Sequence, residues 1–118
     1  MALTYLDITI ANPARPKRAI MRRFLIDSGA TYSVVPKQDL QTLGIKPHSA
    51  QKFILANGEE MERKLGVALF EYKDKKGGAP VIFGEPGDSL LLGAVTLEAL
   101  GVILDPIRRE LKALPMVL

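Results

Sequence analysis

The sequence predicts a mostly β protein whose sheets are closed or packed on one another, with one or two short helices. Three observations carry that reading. Segments of helical period are scarce, short apolar runs bounded by Gly, Pro and Asn are plentiful, and Asn57-Gly58 stands between two of those runs. Asn-Gly is the strongest short hairpin signal, because both residues tolerate positive φ.

The elements follow in order. Leu3 to Ile10 alternates loosely, through Leu3, Tyr5, Leu6, Ile8 and Ile10, as a half-buried strand does. Asn12-Pro13-Ala14-Arg15-Pro16 reads as a turn, since two prolines cannot donate to a ladder. Ala19 to Ile26 returns as a second strand ending in the wholly apolar Phe24-Leu25-Ile26. Phe53-Ile54-Leu55-Ala56 and Leu65 to Tyr72 form the hairpin around Asn57-Gly58. A further hairpin has Lys73 to Gly78 as its tip and Val81-Ile82-Phe83 as its return strand.

Two segments read as helical, Leu40 to Ile45 and Leu97 to Val102, and they share the pattern Leu-x-x-Leu-Gly-β-branched. The leucines at i and i+3 face one core, and Gly44 and Gly101 supply left-handed positions after the last turn. Upstream of each stands an apolar run leading to Gly-Ala, at Gly29-Ala30 and Gly93-Ala94, but at unequal spacing. This weak repeat suggests one domain over 1–118 with approximate internal two-fold symmetry. Only its first half has an Asp before the Gly.

Composition narrows the chemistry. The 118 residues include 16 Lys+Arg, 13 Asp+Glu, one His and no Cys, a net charge of +3. A length of ~100–150 residues suits one domain. Without cysteine there are no disulfides, thiolate zinc sites or cysteine nucleophiles. His48 alone cannot build a His-rich metal cage and is read as a surface loop residue, so no metal site is expected. No apolar run approaches the ~20 residues that span a bilayer, and the first residues lack a signal-peptide pattern. The expectation is a soluble cytoplasmic domain with no membrane partner, in which carboxylates or hydroxyls do any chemistry.

Phe24-Leu25-Ile26-Asp27-Ser28-Gly29-Ala30 is the most informative stretch. A carboxylate emerging from an apolar strand is costly unless it is paired or hydrogen-bonded. Ser28 offers a hydroxyl, and Gly29 permits a tight loop. On the tripeptide alone an ordinary strand-to-turn junction explains these residues well.

The wider context adds to this stretch: Asp27-Ser28-Gly29-Ala30-Thr31 is followed by Val34-Val35-Pro36, the helix ending Leu43-Gly44-Ile45, and Leu91-Leu92-Gly93-Ala94 leading into the second helix. Together these residues resemble the retropepsin-like aspartic proteases, and among them the small prokaryotic members. The resemblance implies the family's β-barrel fold, with Asp27 as the catalytic carboxylate. Ser28 matches the position that supports the paired loops across a dimer axis, and Gly29-Ala30 the backbone beside the substrate. Leu92 and Gly93 match the segment packed behind the catalytic loop. Phe53 to Lys64, turning at Ala56, Asn57 and Gly58, matches the flap that closes over a bound peptide. Leu114 to Leu118 fall where many members place dimer-interface strands. No cofactor is implied.

The mechanism so implied needs two carboxylates, and this chain has one Asp-Ser-Gly; Asp88 precedes Ser89-Leu90, and Asp105 precedes Pro106. One chain therefore holds half a site, and a two-fold homodimer acting on a peptide or protein substrate completes it. The chain departs from the retroviral members at Thr31, where they have Asp, and at Ala94, where they have Arg. Both halves of that ion pair are missing together. Glu59, Glu60 and Glu62 replace a glycine-rich flap tip and read as a solvated hairpin end.

Two other readings belong to different classes. One is a non-catalytic dimeric module that keeps the fold and binds peptide or protein. The other is a nucleic-acid-associated dimer, suggested by Arg15, Lys17, Arg18, Arg22 and Arg23. No aromatic residues interleave with that cluster, and it lies across a hairpin, so it reads as a solvated surface. The Gly84 to Asp88 segment lacks the Lys-Ser/Thr of a phosphate loop.

Overall fold

The structure, a computed structural model, describes residues 3–115 and Val117. Among the described residues there are nine strands and two short helices: β1 (Tyr5–Asn12), β2 (Arg15–Ile26), β3 (Ser33–Pro36), α1 (Lys37–Thr42), β4 (Ser49–Ile54), β5 (Glu60–Tyr72), β6 (Lys75–Gly84), β7 (Leu91–Leu92), α2 (Ala94–Leu100), β8 (Val102–Asp105) and β9 (Glu110–Ala113). The mostly β expectation holds. No helix among these residues is long and apolar enough to cross a membrane.

Seven strands form one sheet in the order β1-β2-β7-β3-β6-β5-β4, and β8 pairs with β9 apart from it. Strand β1 also pairs with β5, through Thr9–Glu71, Ile10–Phe70 and Ala11–Leu69. The alternation of Ile8 and Ile10 therefore turns both side chains into a shared core, where both are fully buried. Phe24 from β2 meets Phe70 from β5 edge to face, with ring centroids 6.3 Å apart and planes at 70°. Such a pair adds roughly 0.5–1.5 kcal/mol to its area burial.

The first turn is shorter than the sequence suggests. It occupies Pro13-Ala14, and Arg15-Pro16 already belong to β2. The register explains the prolines: Ala11 stands opposite Ala19 and Asn12 opposite Arg15, so Pro16, Lys17 and Arg18 bulge out. Pro16 thus loses no ladder bond there. Asn12 braces the turn, accepting from the Ala14 N–H at 2.9 Å and donating to Leu43 O at 2.9 Å. The next two hairpins turn where expected but their strands differ: β4 runs Ser49–Ile54, leaving Leu55 and Ala56 in the turn, and β5 already starts at Glu60 because Ile54 pairs with it. The tip after β5 is only Lys73-Asp74, and Lys75 to Gly78 continue as strand.

Both helices begin earlier than their leucine spacing indicates. Pro36 with φ −50° caps α1, and Gly93 caps α2. Their ends match expectation: Gly44 has φ +78° and Gly101 φ +69°. After α1 the Gly44 N–H donates to Gln41 O and the Ile45 N–H to Leu40 O, both at 2.9 Å. These two bonds satisfy the last carbonyls, while Leu40 and Ile45 are buried together in the core. Strand β9 ends at Ala113, and the Leu114 N–H donates to Gly101 O at 2.8 Å. Of the terminal residues tied to a dimer interface, Met116 and Leu118 lie outside the described residues.

Candidate active site

Strand β2 carries Phe24 and Ile26 into the core and releases Asp27 at its end, where the side chain is half-buried. Beside it runs β7, parallel to β2 with Leu25 opposite Leu91 and Ile26 opposite Leu92. The Leu25 N–H donates to Leu90 O at 3.1 Å, and the Asp27 N–H donates to Leu92 O at 2.9 Å. The loop backbone is thereby fixed at the residue that bears the carboxylate.

The carboxylate itself is aimed by its own loop. The Gly29 N–H donates to Asp27 Oδ1 at 3.0 Å, and the Ala30 N–H to Asp27 O at 3.2 Å. This small turn satisfies one carboxylate oxygen. It answers the cost that the sequence raised for an acid at the end of an apolar strand.

Gly93 lets the two segments approach. A β-carbon there would stand 2.6 Å from both the carbonyl carbon and oxygen of Tyr32, and 2.9 Å from Ala30 O. Just beyond, the Ala94 N–H donates to Ala30 O at 2.7 Å and the Val95 N–H to Thr31 O at 3.0 Å. Residues 27–31 and 92–95 are therefore laced together along their length. Asp27, Ser28, Gly29, Ala30, Leu92 and Gly93 come together as one unit. Ser28 is exposed and lines an open hollow of about 510 Å³ with Ala94, Leu97, Ile103 and Leu114.

The hairpin of β4 and β5 overhangs the other side of the loop. Its tip is tied by the Leu55 N–H to Glu59 O at 2.8 Å, and by the Glu59 N–H to Asn57 Oδ1 at 2.9 Å. Ala56, Asn57 and Gly58 are exposed at that tip. Lower on the hairpin, Gln51 and Phe53 line a hollow of about 420 Å³ with Ala30, Thr31, Tyr32 and Val34. A second hollow, of about 310 Å³, shares Val34, Phe53, Ile82 and Leu91 with it and extends to Met61. Together they make a mostly apolar groove running from the Asp27 loop under the hairpin.

Sequence reasoning did not find the far wall of that groove. Arg63 of β5 meets Asp88 through two bonds, Nε to Oδ2 at 2.7 Å and Nη2 to Oδ1 at 3.0 Å. Asp88 Oδ2 also accepts the Glu85 N–H at 2.8 Å. The Arg63 hydrogen bonds hold the Asp88 carboxyl below the usual carboxylate range, and Asp88 raises Arg63 in return. Buried Ser33 and Thr96 were missed as well. A small hydroxyl at an inward strand position is the one sequence signal Ser33 gives. A fourth hollow, of about 370 Å³ between Lys37, Ile45, Lys64 and Phe83, includes none of the loop residues. Among the described residues no group of three or more His, Asp or Glu could hold a metal ion.

The family model for aspartyl protease matches residues 17–95, which include the Asp27 loop, the overhanging hairpin and Gly93. No curated protein matches the chain. Among solved structures, the chain is similar to the protease of simian foamy virus (mac), with a TM-score of 0.55 and 22% identity over 80% of this chain and 91% of that one. It is also similar to a retropepsin-like aspartic protease from Rickettsia conorii, with a TM-score of 0.46 and 26% identity over 87% of this chain and 84% of that one. The family match spans more than half of the 118 residues: the chain belongs to the aspartyl protease family, and its fold is retropepsin-like.

Proposed function

We propose that the chain is one half of a homodimeric aspartic endopeptidase. The observation that carries this reading is the placement of Asp27. Its amide is anchored to Leu92 O, one carboxylate oxygen is aimed by the Gly29 N–H, and its loop borders an apolar groove under a hairpin. A structural aspartate needs no such cleft.

One carboxylate per chain sets the stoichiometry. Two Asp27 side chains across a two-fold axis share a proton, because like charges at close range cannot both ionise. The ionised member takes a proton from water, and the protonated member supports the carbonyl oxygen that the water attacks. The tetrahedral intermediate then collapses as a proton passes to the leaving nitrogen. Exposed Ser28 supports the paired loops, and the backbone of Gly29 and Ala30 lies beside the peptide. The β4–β5 hairpin serves as the flap, its Ala56-Asn57-Gly58 tip closing over the bound chain. The pairing of β1 with β5 supports reading the large sheet as a closed barrel that keeps the loop rigid.

The groove that the Asp27 loop borders through Ala30 and Thr31 suits an extended peptide with a bulky apolar side chain, since Val34, Phe53, Ile82 and Leu91 line it. The test compares wild type and Asp27→Asn on an unfolded protein substrate from pH 3 to 7, with sedimentation of both. Cleavage by wild type alone, blocked by a statine-type transition-state mimic, is the expected result. Cleavage by the variant at the wild-type rate, or an active wild type that sediments strictly as a monomer, overturns the reading.

A further inference from the structure

Ser33 and Thr96 are fully buried, each with no exposed surface. Ser33 opens β3 and Thr96 sits in the first turn of α2, 63 residues later, and their hydroxyl oxygens are 2.5 Å apart. Alanine would fill the Ser33 position without any hydroxyl to satisfy. A buried hydroxyl is unfavourable unless it is hydrogen-bonded, so its partners reveal what it does.

Ser33 Oγ also accepts the Gly93 N–H at 2.9 Å. That N–H and the carbonyl of Leu92 belong to one peptide unit, which is planar and rigid. The same Leu92 carbonyl accepts the Asp27 N–H at 2.9 Å. A single plate is thus held at one edge by Ser33 and holds Asp27 at the other. Thr96 shares a hydrogen bond with the Ser33 hydroxyl and so holds its oxygen where a lone pair meets the Gly93 N–H.

We propose that Ser33 and Thr96 are positioning residues for the catalytic carboxylate, acting through the 92–93 peptide plane. The proposal rests on the reading of Asp27 as catalytic. Loss of the Ser33 hydroxyl frees the plate to tilt, and Leu92 O then no longer meets the Asp27 amide in line. The carboxylate is displaced by a fraction of an ångström, enough to slow the chemistry while the groove that binds substrate, on the far side of β3, is unchanged.

The experiment uses the full chain, with Ser33→Ala as the test and Thr96→Ser as the conservative variant that keeps a hydroxyl. Amide hydrogen exchange is read residue by residue. In Ser33→Ala the Asp27 and Gly93 amides should exchange at least about tenfold faster, while amides in β5 and β6 keep their wild-type rates. Thr96→Ser should exchange as wild type. With a cleaved peptide, Ser33→Ala should lower kcat about tenfold and change KM by less than about twofold. An unchanged Asp27 amide in Ser33→Ala overturns the proposal. So does equal acceleration of every amide, which marks a purely structural role. Where Ser33→Ala fails to fold, Thr96→Val removes the other hydroxyl at nearly constant volume and is read in the same way. A wild type that cleaves nothing refutes the proteolytic reading, whereas the exchange rates still decide whether Ser33 holds the Asp27 loop.

Discussion

Arg63 and Asp88 lock the base of the overhanging hairpin to the loop that enters β7, through two charge-assisted bonds of 2.7 and 3.0 Å. The consequence is mechanical. Strand β7 carries Leu92, which holds Asp27, so the hairpin and the Asp27 loop are fastened to one support. The tip at residues 55–59 is exposed, beyond the reach of this pair.

The pair sets a pH dependence of stability. The Arg63 hydrogen bonds lower the Asp88 pKa from its usual 3.8, with the Glu85 N–H adding to the effect. A carboxyl whose folded pKa is depressed contributes stability that is fully present above its unfolded pKa and is lost as pH falls through the folded one. Asp88→Asn should therefore cost about 1 kcal/mol at pH 7, since the pair is only partly shielded from water. The cost should shrink as pH falls below about 4. Urea midpoints for wild type and Asp88→Asn at pH 7 and pH 3 check this, and an equal gap at both pH values contradicts it.

The proposed homodimer, with half a site in each chain, predicts how activity responds to dilution and mixing. Below the dimer dissociation constant, the rate should fall with the square of chain concentration. Mixing wild type with excess Asp27→Asn chains should suppress activity, because each heterodimer holds only one carboxylate. A rate proportional to chain concentration at every dilution, untouched by the variant, contradicts a shared site.

Local chemistry was legible in the sequence and long-range pairing was not. Asn57-Gly58, Gly44 and Gly101 announce their turns through backbone requirements contained within a few residues. Asp27 stands out because a charge ends an apolar run. By contrast, β7 is two residues long and β3 four, too short for any period to show. Their identity as strands comes from partners brought in by the fold, Leu91 opposite Val34 and Ser33 opposite Val81. Ser33–Thr96 and Arg63–Asp88 are likewise contacts between distant residues, invisible until the chain is folded. Pro16 misled for a related reason, since nothing local reveals that its neighbours bulge out of register.

Gly93 should tolerate no side chain. A β-carbon 2.6 Å from the Tyr32 carbonyl meets backbone, which cannot rotate away as a flexible side chain can. Gly93→Ala must push apart the 27–31 and 92–95 segments, at a cost of roughly 1–3 kcal/mol. Thermal unfolding should show that loss, with activity falling further than stability because the Asp27 anchor moves. A wild-type melting temperature in Gly93→Ala contradicts the close approach.

The groove predicts a selective change in substrate preference. Val34 lines both of its hollows and is half-buried, so its side chain borders the space without closing it. Val34→Phe adds a ring to that space while Asp27 and its anchors stay untouched. Substrates that place a large apolar side chain beside the cleavage site should then lose about 1–3 kcal/mol of transition-state binding, or roughly 10–200-fold in kcat/KM. Those that place alanine there should change little. Peptides differing at single positions flanking the cut, assayed with both proteins, show which substrate position the groove reads. Equal loss for alanine and leucine peptides at every position would mean that Val34→Phe disturbs the loop rather than fills the groove.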